Sequence, residues 1–264
     1  MLAANASTAR TPVLWKSALK KLSIEAKFDT IDLSAETSQE FEEVIDKGNY
    51  QVVILGHPNK MFANNIAIHP QGHDRRAGFN LIELGENCWN GNNFDGKAFF
   101  ISLQEKFKET LEESLFIFIG SGSTAYACSN EVRHNLQNSK TKILSRQQLL
   151  NSDTSFLSLT NIDGLELRER KVILVNCTPI GKNGIRIPPN LLRNIESIDP
   201  FLIYDLNYYQ GHESPWKQLK PKCEFQDGRR MNLLQAALGF HHIFPDHTSD
   251  LQNTLSLFET FQEE

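Results

Sequence analysis

The sequence predicts an α/β protein, with an N-terminal α/β domain followed by a doubly wound parallel sheet. Three observations predict it. Short apolar runs alternate with segments of helical periodicity along most of the 264 residues, the pattern of strands joined by crossover helices. The run Leu115–Ile119 (LFIFI) is continuous, aromatic and β-branched, as a strand buried on both faces must be. It stops at Gly120-Ser121-Gly122-Ser123-Thr124-Ala125, where glycines and small residues can turn the chain and open a helix.

The elements follow in order. Thr11-Pro12 reads as an N-cap with proline at the first helical position. Trp15, Ala18, Leu19 and Leu22 continue at helical spacing, with Lys16, Lys20 and Lys21 pointing elsewhere. Residues 24–33 are expected to form a strand, and Phe41, Val44 and Ile45 mark a second helix. Residues 52–55 (VVIL) form a short buried strand ending at Gly56, whereas residues 64–76 are polar and uneven and carry no assignment. Asn90-Gly91 and Asp95-Gly96 read as turns that close the first domain, and residues 99–111 as a linking helix. Beyond the glycine turn, residues 141–144, 172–175 and 201–206 are expected strands. Residues 231–244 are an expected helix with Leu233, Ala237, Phe240 and Phe244 among its apolar positions.

Composition narrows the function. A chain 40% hydrophobic and 22% charged is that of a soluble globular protein. Lys+Arg 27 against Asp+Glu 32 leaves a formal charge of -5, so no sequence-wide basic field invites nucleic acid. Cys88, Cys128, Cys177 and Cys223 are far apart, without zinc-ligand spacing, and reduced thiols are the simplest account. His241-His242 fit helix positions better than metal ligands, so no metal is expected. The opening residues lack an apolar core long enough for a signal peptide, and no run is long enough to cross a bilayer. A cytoplasmic monomer or homodimer without a membrane partner is the expectation.

The strand, glycine turn and helix are the parts of a dinucleotide site. The first glycine permits the turn, the second lets the backbone approach a pyrophosphate, and free N–H groups at the helix start face it. On the string alone, a glycine turn in any α/β protein remains open.

Several further strings lie in one order: Pro58-Asn59-Lys60, Gly78-Phe79-Asn80 and Asn93-Phe94-Asp95-Gly96 before the glycine turn. After it come Ser145-Arg146, Asn176-Cys177-Thr178-Pro179-Ile180-Gly181, Tyr204-Asp205 with Tyr208, and Gly228 with Met231 and Gln235-Ala236. In order and approximate spacing, over nearly the whole chain, they resemble the shikimate dehydrogenase family and its quinate relatives. The resemblance implies a substrate domain of residues 1–97, a Rossmann domain of residues 98–228 that binds NADP, and residues 229–264 packing back on the first domain. It also implies a cleft between the domains, and reversible reduction of 3-dehydroshikimate to shikimate by hydride from the nicotinamide.

Carried over residue by residue, the resemblance makes Lys60 and Asp95 the catalytic pair. Reducing a ketone leaves an alkoxide unless a proton donor lies within hydrogen-bond reach, and a lysine beside a carboxylate can donate and be reloaded. On residue type alone they read as a loop lysine and a turn aspartate. Thr11, Asn80, Tyr208 and Gln235 match residues that meet the ring acid, and amides suit a polyol because each offers a donor and an acceptor. Gly120, Gly122, Ser123, Thr124 and Ala125 match the phosphate turn, and Thr178, Gly228 and Met231 match other cofactor contacts. Ser145-Arg146 matches the grip on the 2′-phosphate, a guanidinium fork that selects NADP over NAD.

This sequence also departs from the family. Ala9-Arg10-Thr11-Pro12 keeps one of two carboxylate-binding hydroxyls, and Trp15-Lys16 stands where a His-Asn pair is usual. Gly56 and Phe94 replace threonines, Arg230 replaces a glycine, and Ser145 and Gln147 flank Arg146 in place of Asn and Thr. The same chemistry on another ring acid such as quinate therefore stays open, as does a regulatory protein that keeps the fold without catalysis.

Overall fold

A computed structural model describes residues 1–145, 156–158, 170–182, 184–209 and 213–261. The chain forms two compact units, Met1–Ala98 with Asn232–Glu264, and Phe99–Met231.

The first unit opens with β1 (Leu2–Ala3), α1 (Arg10–Lys21), β2 (Ile31–Asp32) and α2 (Ser38–Gly48), then β3 (Val52–Ile54), β4 (Ala67–Ile68), β5 (Leu81–Leu84) and β6 (Trp89–Asn92). Strands β3, β5, β6 and β4 make a sheet in that order, and β1 pairs in parallel with β2. Thr37 caps α2 by accepting from the Glu40 backbone N–H at 3.2 Å, and Asn49 ends it in the left-handed region. Its apolar side, Phe41 and Ile45, packs with Val53, Leu55, Phe79 and Ile82 into the core.

Three sequence expectations are corrected in this unit. The cap of α1 is Ala9, and Thr11 and Pro12 lie inside the first turn, where a missing N–H breaks no helical hydrogen bond. Of residues 24–33, only Ile31–Asp32 is strand, because its partner β1 is two residues long. Neither glycine pair is a turn. Gly91 sits inside β6, where an added Cβ would stand 2.5 Å from the Phe79 ring, so close packing accounts for the glycine. Asp95-Gly96 opens α3 (Asp95–Leu111), with Asn93 Oδ1 accepting from the Asp95 N–H at 2.9 Å.

The second unit continues with β7 (Leu115–Ile119), α4 (Ser123–Asn135), β8 (Lys140–Ser145), β9 (Phe156–Ser158), β10 (Val172–Asn176), α5 (Pro189–Ser197), β11 (Pro200–Asp205), α6 (Pro215–Leu219) and β12 (Glu224–Asp227). Its sheet runs β12-β11-β10-β7-β8-β9, with every neighbouring pair parallel. Strand order reverses between β7 and β10, the point where such sheets open a crevice at their carboxyl ends. Alternation along β7 divides the core. Leu115, Ile117 and Ile119 pack with Leu191 and Ile195 of α5 and Trp216 of α6, while Phe118 meets Phe99 of α3 at 5.9 Å.

The chain re-enters the first unit within α7 (Arg229–Ile243) and ends with α8 (Leu251–Thr260). There the buried Trp15 meets Phe240 edge-on at 5.2 Å and donates its indole N–H to the Ala236 carbonyl at 3.1 Å. Phe240 in turn meets Phe258 of α8 at 5.5 Å. Among the described residues, no helix is long and apolar enough to cross a membrane.

Candidate active site

In the first unit, the geometry centres on Lys60, Asn80 and Asp95. Lys60 lies in a short 3-10 helix, Asn59–Asn65, and Asp95 opens α3. The Lys60 ammonium donates to Asp95 Oδ2 at 2.5 Å, with the two side chains only 13% and 5% exposed. Asn80 Nδ2 donates to the other carboxylate oxygen at 2.8 Å, and Asn80 Oδ1 accepts from the Phe94 N–H at 3.0 Å. The backbone holds this trio together. The Phe79 N–H donates to the Lys60 carbonyl at 3.0 Å. Gly78, at φ 61, lets that carbonyl approach so closely that a Cβ would stand 2.7 Å from it. Asn93 adds donations to the Ala77 and Gly78 carbonyls, both at 3.0 Å. Charge-assisted bonds in a site this dry are the strong kind. An ammonium and a carboxylate so held can pass a proton to a third oxygen.

Thr11 is buried in the first turn of α1, and Gln235 is half-buried on α7, both in this unit. Tyr208 belongs to the second unit, where the Lys182 ammonium lies 5.0 Å from its ring centroid. The two residues that replace threonines, Gly56 and Phe94, have packing causes. A Cβ on Gly56 would stand 2.5 Å from Ala3 Cβ, because β1 crosses there. Phe94 instead packs against the His242 ring, with centroids 5.5 Å apart.

In the second unit, the glycine turn lies at the carboxyl end of β7. Gly120 has φ 104, and a Cβ on it would stand 2.6 Å from Thr178 Cγ2. Gly122 is the N-cap of α4, with no side-chain cap, and a Cβ there meets nothing within 4 Å. The first glycine is thus required by the fold, whereas the second faces open space. Ser123 and Thr124 make the first turn of α4, and Ala125 is fully buried under it. This cradle of backbone N–H groups at the start of α4 fits a pyrophosphate. Ser145 ends β8 and its hydroxyl lies 3.0 Å from that of Ser121, while Arg146 lies outside the described residues. A Cβ on Gly228 would stand 2.0 Å from the Leu206 carbonyl oxygen, and Met231 is buried at the end of this unit.

Beside the turn is a polar hub to which the sequence assigned no role. Asp205, fully buried, accepts from Asn176 Nδ2 at 2.9 Å, the Asn207 N–H at 3.1 Å and Asn207 Nδ2 at 3.0 Å. Its second oxygen accepts from the Tyr209 hydroxyl at 2.7 Å and the Ser214 hydroxyl at 2.8 Å. Burial pushes the carboxyl above its ordinary value, against the downward pull of Tyr209, Asn176 and Ser214. Tyr209 is itself pushed up, by burial first and by Asp205 second. Asn176 Oδ1 accepts from the Thr178 N–H and hydroxyl, at 3.1 and 2.7 Å. Asn176 and Asp205 stood in recognisable strings, but their partners are spread too far along the chain for a role to be read.

Fold and site together define a two-unit α/β protein with a Rossmann sheet and a buried lysine–carboxylate pair. No family model matches the sequence, and no curated protein matches it. Solved structures do. Shikimate dehydrogenase 1 from Peptoclostridium difficile superposes with a TM-score of 0.74 at 20% identity, covering 99% of this chain and 96% of that one. Shikimate 5-dehydrogenase from Thermus thermophilus, solved in complex with NADP(H) and shikimate, gives 0.69 at 19% identity, covering 98% and 97%. The Listeria monocytogenes enzyme, solved with shikimate and NAD, gives 0.68 at 15%, covering 91% and 89%. The chain therefore has the α/β fold of the shikimate dehydrogenases.

Proposed function

We propose that this chain belongs to the shikimate dehydrogenase family and is an NADP-dependent enzyme interconverting 3-dehydroshikimate and shikimate. The reading is carried by one observation, the Lys60–Asp95 pair at 2.5 Å in a nearly dry site, with Asn80 on the second carboxylate oxygen. A protein that merely bound a ligand would have little use for a desolvated ammonium backed by a carboxylate, since burying such a pair is costly. NADP supplies or accepts the hydride when bound. Lys60 donates the proton that turns the ring oxygen into a hydroxyl, and its charge stabilises that oxygen as it becomes negative. Asp95 orients the ammonium, which takes its next proton from water after each turnover, and Asn80 holds Asp95 in place while offering a remaining amide hydrogen to the ring. Thr11, Gln235 and Tyr208 complete the contacts to the ring acid.

On the cofactor side, Gly120, Gly122, Ser123, Thr124 and Ala125 hold the pyrophosphate. Ser145 and Arg146 take the 2′-phosphate, and Thr178, Gly228 and Met231 border the nicotinamide. The open space over Gly122 supports that assignment. The complexed relatives hold NADP(H) in one case and NAD in another, so the choice for this chain rests on Arg146.

A second reading, the same reaction on a different ring acid such as quinate, draws support from Gly56 and Phe94. Each sits where the family carries a threonine and each is fixed by local packing. The test is NADPH formation followed spectrophotometrically with shikimate, quinate and aminoshikimate. Turnover of shikimate at ordinary saturation supports the first reading and a clear preference for another ring acid the second. Dinucleotide binding without turnover of any of them refutes catalysis.

A further inference from the structure

The second unit holds a buried carboxylate that the proposed reaction does not use. Asp205 gathers five donors from Asn176, Asn207, Tyr209 and Ser214. Those donors lie at or just beyond the carboxyl ends of β10 and β11, in two segments of the chain. In the first, Asn176 both binds Asp205 and folds the Thr178–Ile180 turn, its Nδ2 donating to the Thr178 and Ile180 carbonyls, each at 3.2 Å. In the second, Asn207 Nδ2 bonds Asp205 and also donates to the Thr178 carbonyl at 2.8 Å. The segments interlock further at Gly181, where a Cβ would stand 2.9 Å from the Tyr209 hydroxyl and 3.1 Å from the Trp216 indole nitrogen. Trp216 Nε1 donates to the Ile180 carbonyl at 2.9 Å. Thr178 in turn lies against Gly120 of the phosphate turn.

We propose that Asp205 is a positioning residue for the dinucleotide, its ionised carboxylate clamping the Thr178–Gly181 turn and the 206–209 segment into the shape that receives the nicotinamide end. The proposal rests on the reading of this unit as dinucleotide-binding. The chemistry favours the ionised form for the clamp. All five partners donate, and a protonated acid would have to give up an acceptor site to its own O–H. No donor among them carries a formal charge, so the clamp is built from oriented dipoles and survives burial without a counter-ion. Among the described residues, the neighbouring charged and titratable groups are Tyr209, Asp227 in register on β12 and paired with Arg229 at 3.3 Å, and Lys182 over the Tyr208 ring. Arg229 also donates to the Tyr209 carbonyl at 2.6 Å.

The experiment compares wild type with Asp205→Asn, Tyr209→Phe and Ser214→Ala. The dissociation constant of NADP is measured calorimetrically between pH 5 and 8, alongside KM for the ring acid and a thermal melt. Asp205→Asn is expected to weaken NADP about tenfold or more, because an amide meets donors with its own N–H groups, and to raise KM for the ring acid by a smaller factor, through Tyr208 of the clamped segment alone. Tyr209→Phe and Ser214→Ala are expected to weaken it by about two- to tenfold each, with melts lowered less than that of Asp205→Asn. Wild-type affinity is expected to fall more steeply toward acid than that of Asp205→Asn, protonation of the NADP 2′-phosphate being common to both. If Asp205→Asn does not fold, the two single-bond variants decide. Unchanged NADP affinity in the folded variants overturns the proposal, as does equal weakening of ring acid and dinucleotide. A wild-type protein that binds neither NADP nor NAD overturns the underlying reading instead.

Discussion

Replacing Lys60 with methionine separates what its ammonium does from what its stem does. Methionine keeps the unbranched length and the apolar contacts but offers no proton and no charge. A positioned proton donor contributes about 10²–10⁴-fold to rate, and at about 1.36 kcal/mol per decade that is about 2.7–5.4 kcal/mol of transition-state stabilisation. The same change takes the Lys60 ammonium away from the buried Asp95 Oδ2. Breaking a buried pair costs about 3–5 kcal/mol, and the lower end applies because Asn80 still serves Oδ1 at 2.8 Å. At about 2–4 °C per kcal/mol, a loss of about 3 kcal/mol lowers the melting temperature by about 6–12 °C. Lys60→Met/Asp95→Asn removes the stranded charge, so it should recover most of the melting temperature and none of the activity. The assay is kcat at saturating NADP and ring acid on protein shown folded by circular dichroism, with a melt of each variant. A kcat within threefold of wild type would refute the proton-donor role. Recovered activity in the double variant would refute it as well.

Other outcomes follow from the same geometry. Gly122→Ala enters open space, so its stability should stay within about 0.5 kcal/mol of wild type while KM for NADP rises. Gly120→Ala forces a side chain at φ 104 and into Thr178, and a melt should show a loss of about 1–3 kcal/mol. Arg146→Ala should lower kcat/KM for NADP by the value of a charge-assisted contact, about 1.5–3 kcal/mol, and leave NAD nearly unchanged. An equal fall for both would remove Arg146 from the 2′-phosphate. His73 stacks on Phe79 at 4.4 Å, and burial first and the neighbouring His69 second hold its pKa below 6.5. A depressed pKa contributes stability above 6.5 that is lost as pH falls through the lowered value. Melts from pH 7 to 5 should therefore fall more steeply for wild type than for His73→Phe.

Legibility in the sequence tracked how local each cause was. The strand Leu115–Ile119 could be read because burial on both faces leaves a continuous apolar run, and Gly120 because only glycine suits its φ of 104. The two-residue strands β1, β2 and β4 lack a period long enough to see. Asn90-Gly91 carried a turn signal, but Gly91 answers to the Phe79 ring, a contact made by folding and absent from local sequence. Lys60 and Asp95 lie 35 residues apart, and their residue types alone gave no reason to join them. The matched strings did so. The Asp205 hub had no such help, since its donors come from Asn176, Asn207, Tyr209 and Ser214, whose convergence depends on β10 and β11 being neighbours.

On the proposed function, the departures near Lys60 bear on which ring acid is turned over. A hydroxyl lost from a binding site is costly when it strands a buried protein partner, and here the replacements leave packed surfaces. Ala3 fills the space beside Gly56, and the Phe94 ring lies against His242. His242 is occupied in its own right, with Nε2 2.8 Å from Glu83 Oε1 and 3.3 Å from Asn92 Nδ2. Phe94 keeps its other duty too, since its backbone N–H donates to Asn80 Oδ1 and so helps to fix Asp95. The side chain at position 94 can therefore change while the geometry of the Lys60–Asn80–Asp95 trio stays. Phe94→Thr should leave the Lys60–Asp95 pair and kcat nearly intact and alter KM, and it should do so differently for shikimate and quinate. If Phe94→Thr lowers kcat for every ring acid and leaves their relative KM values alone, the aromatic ring supports the catalytic pair and does not choose the substrate.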